Sequence, residues 1–129
     1  MDIDFQKAAG LVPAIIQDHR TGEVLMLGFM NDASLAQTRA SGEVVFFSRS
    51  RNKLWKKGEY SGHVLKVREL LVDCDADALL VKVEAVGPGV CHEGYRSCFF
   101  RAVAPDGDLK IISERTFDPE QVYNAEKSR

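Results

Sequence analysis

The chain has 129 residues, of which 45% are hydrophobic and 28% are charged, and its formal net charge is −2. These values predict one globular domain that spans residues 1–129. They argue against the strong positive charge with which proteins attract nucleic acid, so we expect no nucleic-acid partner.

Cellular location follows from apolar runs and cysteine usage. No apolar run approaches the ~20 residues that a membrane-spanning helix needs, and residues 1–5 lack the basic start and apolar stretch of a signal peptide. Three cysteines without a secretory signal indicate reduced thiols and argue against a disulfide framework. We therefore expect a cytoplasmic protein without a membrane partner.

Apolar runs bounded by turn residues predict seven strands. They cover residues 11–17, 23–30, 44–48, 64–72, 79–86, 97–104 and 109–113. Pro13 suggests that the first strand lies at a sheet edge or begins there. The first two strands, and the last two around Pro105-Asp106-Gly107, are expected to form hairpins.

Helix signals are fewer. Asn31 and Asp32 favour the start of a short helix over residues 33–40, which Gly42 would end. Asp118 with Pro119 predicts a second short helix. Residues 49–63 predict a long polar, basic loop, which is uncommon in a compact domain unless it is functional. The pattern as a whole predicts an α+β domain, mainly antiparallel sheet with short helices.

The three cysteines are candidate metal ligands. Cys74 lies between two acids, and Cys91 lies in a glycine-containing loop beside a histidine. Spacing alone fits a metal site and buried apolar residues equally, but these settings do not resemble core strands. A turn at Glu93-Gly94 would let Cys91 and Cys98 face one ion. Three thiolates suit zinc and leave a coordination position for water.

Three acids surround Cys74. Asp73, Asp75 and Asp77 are expected to share one face of an extended segment, where they would repel each other unless a cation neutralises them. A solvated acidic turn is the alternative. A calcium loop of the EF-hand type is excluded because Ala78 stands where its sharp turn needs glycine. Carboxylates beside thiolates suggest a second, harder metal.

The basic loop and two histidines complete the candidate site. Arginine and small turn residues suit phosphate, and the Trp55 ring could stack on a nucleobase. A solvated basic loop and a core tryptophan are the alternatives. The residues expected to bind a substrate are Arg49, Arg51, Trp55, Lys57 and Ser61. Because imidazole titrates near neutrality, His63 and His92 are candidate general bases, whereas His19 is expected at the surface.

Four ordered motifs carry a family resemblance. They are Ser48-Arg49-Ser50-Arg51; Trp55-Lys56-Lys57-Gly58-Glu59 with Ser61-Gly62-His63; Asp73-Cys74-Asp75-Ala76-Asp77; and Cys91-His92 with Ser97-Cys98-Phe99. In order and spacing, from about Gly22 to Arg101, they resemble phosphoribosyl-AMP cyclohydrolase. Tyr60 replaces the family's usual threonine, and Glu93 and Tyr95 vary its Cys-His-Thr-Gly stretch; these departures concern substrate contacts and no metal ligand.

The resemblance implies a hydrolase of histidine biosynthesis. Members of the family hydrolyse the N1–C6 bond of the purine ring of phosphoribosyl-AMP, giving a ring-opened phosphoribosyl-formimino carboxamide. They are intertwined homodimers that need zinc and magnesium. By analogy, Cys74 from one subunit and Cys91 and Cys98 from the other would bind zinc, while Asp73, Asp75 and Asp77 would bind magnesium.

The chemistry gives His92 a role in this reaction. Three thiolates leave a zinc site formally negative, so its water is less acidic than on neutral ligands and needs a base, for which His92 is well placed. Two other functions stay open. One is a structural zinc module with His92 or His63 as fourth ligand. The other is a zinc purine deaminase, although its H-x-E…P-C-x-x-C signature is missing.

Overall fold

The computed structural model describes residues 2–122, which form eight strands, one α-helix, one 3₁₀ turn and a helical stretch at residues 119–122. In chain order these are the 3₁₀ turn Gln6–Ala8, β1 (Val12–Asp18), β2 (Val24–Met30), α1 (Asp32–Ser41), β3 (Val45–Ser48), β4 (Lys53–Lys56), β5 (Leu65–Val72), β6 (Leu79–Ala85), β7 (Arg101–Val103) and β8 (Leu109–Ile111). None of the helices in the described residues is long and apolar enough to cross a membrane.

Four strands form a mixed sheet in the order β2-β1-β6-β5, and β3-β4 and β7-β8 form separate two-stranded sheets. Strands β1 and β6 are parallel, and the other strand pairs are antiparallel. The predicted α+β domain with mainly antiparallel sheet is therefore confirmed. Of the two positions predicted for Pro13, the sheet edge is wrong, because β1 is an inner strand, and the strand start is confirmed, because Pro13 is the second residue of β1. Its ladder with β6 begins only at Ala14, so the missing N–H of Pro13 falls outside that ladder.

The core lies on one face of the large sheet. Alternate residues of β1 and β6 are almost fully buried, as the period of two in a half-buried strand requires; they are Val12, Ala14 and Ile16 with Leu79, Val81 and Val83. Helix α1 begins with a reciprocal pair of hydrogen bonds between Asn31 and Ser34, and Gly42 ends it in a left-handed conformation. The predicted caps are confirmed, with the helix one residue longer at each end.

The predicted loop over residues 49–63 was partly wrong, because residues 53–56 form β4. Phe46 and Trp55 are paired across β3 and β4, with ring centroids 5.5 Å apart. Such an aromatic cross-strand pair stabilises a short hairpin. The side chain of Thr38 accepts a hydrogen bond from the Val45 N–H at 3.0 Å, which joins α1 to the start of β3.

The carboxyl-terminal elements are shorter than predicted. The turn Pro105-Asp106-Gly107 joins β7 to β8 as expected, with a 2.8 Å hydrogen bond from Ala104 N to Asp108 O. Residues 97–100 are not strand, because this stretch turns to bind the backbone of β2. Residues 119–122 are helical, which agrees with the predicted start at Pro119; the continuation of that helix lies outside the described residues.

Candidate active site

A pocket of about 710 Å³ opens beside β4 and the turn that follows it. It is lined by Ser48, Ser50, Arg51, Lys53, Leu54, Trp55, Lys57, Gly58, Glu59, Tyr60, Ser61 and His92. Four of the five predicted substrate-binding residues and one predicted base therefore share one cavity. Since basic, hydroxyl and aromatic side chains converge there, the pocket can take a phosphorylated ligand with an aromatic ring.

The fifth predicted residue, Arg49, lies next door. A second pocket of about 530 Å³ shares Ser48, Ser50 and Trp55 with the first and also contains Arg49. The Arg49 guanidinium stands 3.9 Å from the centroid of the Phe29 ring, a cation–π contact. Because Trp55 lines both pockets, one extended ligand could contact Arg49 in one and Arg51 in the other.

Lys57 connects the pocket to the cysteine loop. Its side chain is buried, and its ammonium donates to the Val90 carbonyl at 2.6 Å and lies 5.5 Å from the Trp55 ring centroid. A buried ammonium requires such partners because its desolvation is costly. Val90 directly precedes Cys91, so this hydrogen bond brings the charge of Lys57 close to a candidate metal ligand. The sequence alone did not reveal this proximity.

Cys91 and Cys98 face each other across a tight turn. The Gly94 N–H donates to the Cys91 carbonyl at 3.0 Å, and the Cys91 N–H donates to the Tyr95 carbonyl at 3.1 Å. Gly94 has a φ of 96°, which favours glycine. The turn predicted at Glu93-Gly94 is confirmed. Cys91 is buried with Tyr95 and Phe100, whereas Cys98 is exposed.

The environment of Cys98 shifts the pKa of its thiol. Partial burial of its sulfur, with a smaller contribution from the Cys91 thiol, raises the pKa of Cys98 to about 11, while the Lys57 ammonium acts in the opposite direction. The Cys98 thiol is therefore protonated near neutral pH unless a cation stabilises its thiolate. Adjacent soft donors of this kind fit zinc, which would release their protons on binding.

The cysteine loop is anchored on the first hairpin. The Cys98 N–H donates to the Leu25 carbonyl at 2.7 Å, and the Ser97 hydroxyl donates to the Val24 carbonyl at 2.8 Å. Arg96 forms ion pairs with Asp18 and Glu23. Burial alone would raise the pKa of Asp18, but hydrogen bonds from the Arg20 and Thr21 backbone and the Arg96 charge lower it. Residues 96–98 of the loop are thus fixed to the first hairpin by hydrogen bonds and ion pairs.

The acidic cluster lies on the turn between β5 and β6. The Asp73 carboxylate accepts hydrogen bonds from the Asp77 N–H at 3.0 Å and the Ala78 N–H at 3.1 Å, and Ala76 has a φ of 61°. The prediction of an extended segment was wrong, because these bonds close the segment into a turn. The predicted convergence of Asp73, Asp75 and Asp77 is nevertheless confirmed, with their ligand atoms within 4.8 Å of one another.

Lys7 provides the counter-charge to this cluster. Its ammonium lies 3.3 Å from an Asp75 carboxylate oxygen and 3.2 Å from an Asp77 carboxylate oxygen. The hydrogen bond between the two acids, and next Lys7, lower the pKa of Asp75, while Asp75 raises the pKa of Asp77. A hard cation would fit the three carboxylates. Sequence analysis missed Lys7, because nothing local indicates a partner 68 residues away.

Cys74 is separate from the other two cysteines. Within residues 2–122, the only group of three or more Cys, His, Asp or Glu residues with ligand atoms within 4.8 Å of one another is Asp73, Asp75 and Asp77. Cys74 is exposed on the acidic turn. One copy of the chain therefore does not bring the ligand atoms of all three predicted zinc ligands within 4.8 Å of one another.

His63 is not among the residues that line the pocket. Its Nδ1 atom is buried without a hydrogen-bond partner, and its ring meets the Phe117 ring edge-on at a centroid distance of 5.2 Å. A Cβ atom added at Gly87 would come within 2.5 Å of the His63 ring. His92, by contrast, is exposed at the pocket and directly follows Cys91. The geometry favours His92 over His63 as a base. His19 is exposed, as predicted.

Comparison with known proteins gives one consistent result. The family model described as phosphoribosyl-AMP cyclohydrolase matches residues 26–100. A phosphoribosyl-AMP cyclohydrolase of Solibacter usitatus is 57% identical over 95% of this chain and 97% of its own length. Proteins of the same name from Geobacter sulfurreducens and Desulforapulum autotrophicum are 56% and 54% identical, over 94% and 95% of this chain and 96% and 98% of their own lengths.

Proposed function

Because this chain belongs to the phosphoribosyl-AMP cyclohydrolase family, we propose that it hydrolyses the N1–C6 bond of phosphoribosyl-AMP, a step of histidine biosynthesis. The observation that carries this proposal is the pocket in which Arg51, Lys57 and Trp55 meet His92. His92 lines this cavity and directly follows Cys91 along the chain, so the proposed base is the neighbour of a proposed metal ligand.

The pocket fits both ends of the substrate. Each phosphate carries about −1.5 to −2 charges near neutrality, and Arg49, Arg51 and Lys53 offer opposing charge along one wall. The Trp55 ring offers an apolar face to the purine. The hydroxyl of Ser61 and the nearby turn add polar contacts. Tyr60, exposed at the same rim, offers a phenol where the family usually has the smaller threonine.

His92 acts as the general base. It accepts a proton from the water that attacks C6, and the N1–C6 bond then breaks as N1 takes up a proton. C6 keeps its amino group and gains the oxygen, so it becomes a carboxamide. Zinc, when bound, makes water a better nucleophile near neutral pH.

Zinc would be held by Cys91 and Cys98 of one subunit and Cys74 of a second. A homodimer also explains exposed apolar surface. Val103, Ile111 and Ile112 are 73%, 64% and 62% exposed on or beside the β7-β8 hairpin, which is marginal as an isolated pair of strands. Val72, close to Cys74, is 43% exposed. A second copy could cover these residues while completing both zinc sites.

Magnesium would be held by Asp73, Asp75 and Asp77, where it would replace the Lys7 ammonium as counter-charge. It would help to neutralise substrate phosphate. We further propose that the protein works in the cytoplasm, where its cysteines, all free in the structure, would stay reduced until metal binds.

Product identity tests the proposed reaction. Incubation with phosphoribosyl-AMP, zinc and magnesium should give a product heavier than the substrate by one water, without release of ammonia. Mass spectrometry and an ammonia assay on the same sample make the measurement. Stoichiometric ammonia, with the amino group exchanged for oxygen and the ring intact, would instead indicate a zinc purine deaminase.

Asp75→Asn and Asp77→Asn should each raise the magnesium concentration needed for half-maximal activity. We expect at least the ~10-fold effect that loss of an outer-shell partner has on metal affinity. Zinc content should not change, because carboxylates and thiolates select different ions. Asp108→Asn, at an exposed position before β8, is the matched control. Loss of zinc with unchanged magnesium dependence would show that the acids serve another role.

A further inference from the structure

Residues 115–117 lie directly on the turn of the cysteine loop. The Arg115 Nε donates to the Glu93 carbonyl at 2.9 Å, and the Thr116 N–H donates to the Gly94 carbonyl at 2.8 Å. The Phe117 N–H donates to the same Gly94 carbonyl at 3.3 Å. Both carbonyls at the tip of the turn are therefore satisfied by one short segment.

The contact between this segment and the turn is close-packed. A Cβ atom added at Gly94 would lie 2.6 Å from the Phe117 carbonyl oxygen and 3.0 Å from Pro119 Cδ. Gly94 thus permits the approach as well as the left-handed turn. On the same side, the Arg115 guanidinium lies 5.3 Å from the centroid of the Tyr95 ring, a cation–π contact.

The segment also contacts the apolar cluster around Cys91 and the histidine beside the pocket turn. Tyr95 stacks on Phe100 at a centroid distance of 3.8 Å, and both rings enclose Cys91 in one small apolar cluster. The Phe117 ring meets the His63 ring edge-on, next to the turn that lines the pocket. Residues 115–117 therefore connect the cysteine turn to His63, which follows the turn that lines the substrate pocket.

We propose that residues 115–117 form a positioning strap, which holds the Cys91–Gly94 turn so that Cys91 and Cys98 are arranged for zinc before the metal arrives. The proposal rests on the proposed zinc site. It assigns a role to residues beyond the stretch matched by the family model, which ends at residue 100. Outer-shell contacts that orient metal ligands typically change metal affinity 10–100-fold when removed.

The test measures how fast zinc leaves the loaded protein. Arg115→Ala removes the bond to the Glu93 carbonyl and the contact with Tyr95, while Phe117→Ala removes the packing on His63. Phe117→Tyr keeps the ring and should behave like wild type. Lys110→Ala, an exposed change on β8, is the matched control. Release is followed with a chromogenic chelator, and the thiolate-to-metal charge-transfer band is recorded after cobalt substitution.

We expect Arg115→Ala and Phe117→Ala to release zinc at least ~10-fold faster than wild type and to alter the cobalt band. The thermal unfolding midpoint of each of these variants, measured without zinc, should stay close to that of zinc-free Lys110→Ala. Unchanged release and an unchanged band would overturn the strap, and so would faster release in proportion to a lower zinc-free midpoint, because the segment would then only stabilise the fold. A wild-type protein that binds no zinc would overturn the zinc site itself, which distinguishes the two failures.

Discussion

Cys91→Ser is expected to lose bound zinc and to abolish turnover. Three protein ligands leave no spare, and a serine hydroxyl is a hard, protonated donor that replaces a soft thiolate poorly. The chain has only three cysteines, and the other two are themselves proposed ligands, so no spare thiol is left to replace Cys91. Metal analysis and kcat on one preparation make the measurement. Stoichiometric zinc with normal turnover would contradict the assignment of Cys91.

Mixed dimers sharpen this prediction. Cys74→Ser and Cys91→Ser should each be inactive alone. If Cys74 serves the partner's site, a dimer of one subunit of each kind has one site with three thiols and one with a single thiol. Random assembly by co-expression should therefore restore about a quarter of wild-type activity, because about half the dimers are mixed and each has one intact site. Recovery of no activity, in dimers shown to be mixed by two affinity tags, would indicate that the site is not shared.

His92→Ala is expected to lower kcat by about 10²–10⁴-fold, the usual contribution of a general base. KM should change little, because proton transfer occurs in the transition state. The acidic limb of the pH–rate profile should flatten, since the group whose protonation it reports is absent. Zinc content should stay at the wild-type level, because His92 is exposed at the pocket and its neighbour Cys91 is the ligand. Steady-state kinetics across pH, with metal analysis, provide the measurement.

His19→Ala is the matched control for His92→Ala. His19 is an exposed histidine directly after β1, outside the residues that line the pocket, so its removal should leave kcat and the pH profile unchanged. The rival role for His92 is to shape the loop around Cys91. That role predicts zinc loss in proportion to the loss of kcat, and such a parallel loss would rule out the general base.

Local signals in the sequence predicted most elements of the fold. Asn31 and Gly42 mark the ends of α1 because their conformations are set within one turn of chain. The turn at Gly107 follows from turn chemistry in the same way. Strand β4 was missed because it has only four residues, two of them lysines. The contact of its Trp55 with Phe46 of β3 forms only when the two strands pair. Pairing also decides that β1 is an inner strand.

In the candidate site, too, local motifs were predicted from the sequence and long-range contacts were not. Ordered motifs identified the cysteines, the acids and His92, because each motif is short and its chemistry depends on residue type. The contacts that position those residues join distant parts of the chain: Lys7 with Asp75, and Arg115 with Glu93. An exposed lysine and an arginine near the carboxyl end have no local pattern that indicates such partners, so only the folded chain reveals them.

Ultraviolet absorbance of the purine ring tests the central claim most directly. Protein loaded with zinc and magnesium should open the ring of phosphoribosyl-AMP, and removal of zinc with a chelator should stop the reaction. Zinc added back in excess of the chelator should restore the rate, whereas magnesium alone should not, because oxygen-seeking magnesium cannot replace zinc on thiolates. Ring opening that continues at the same rate in protein shown to be zinc-free would contradict this account, and so would an intact ring after incubation with the fully loaded protein.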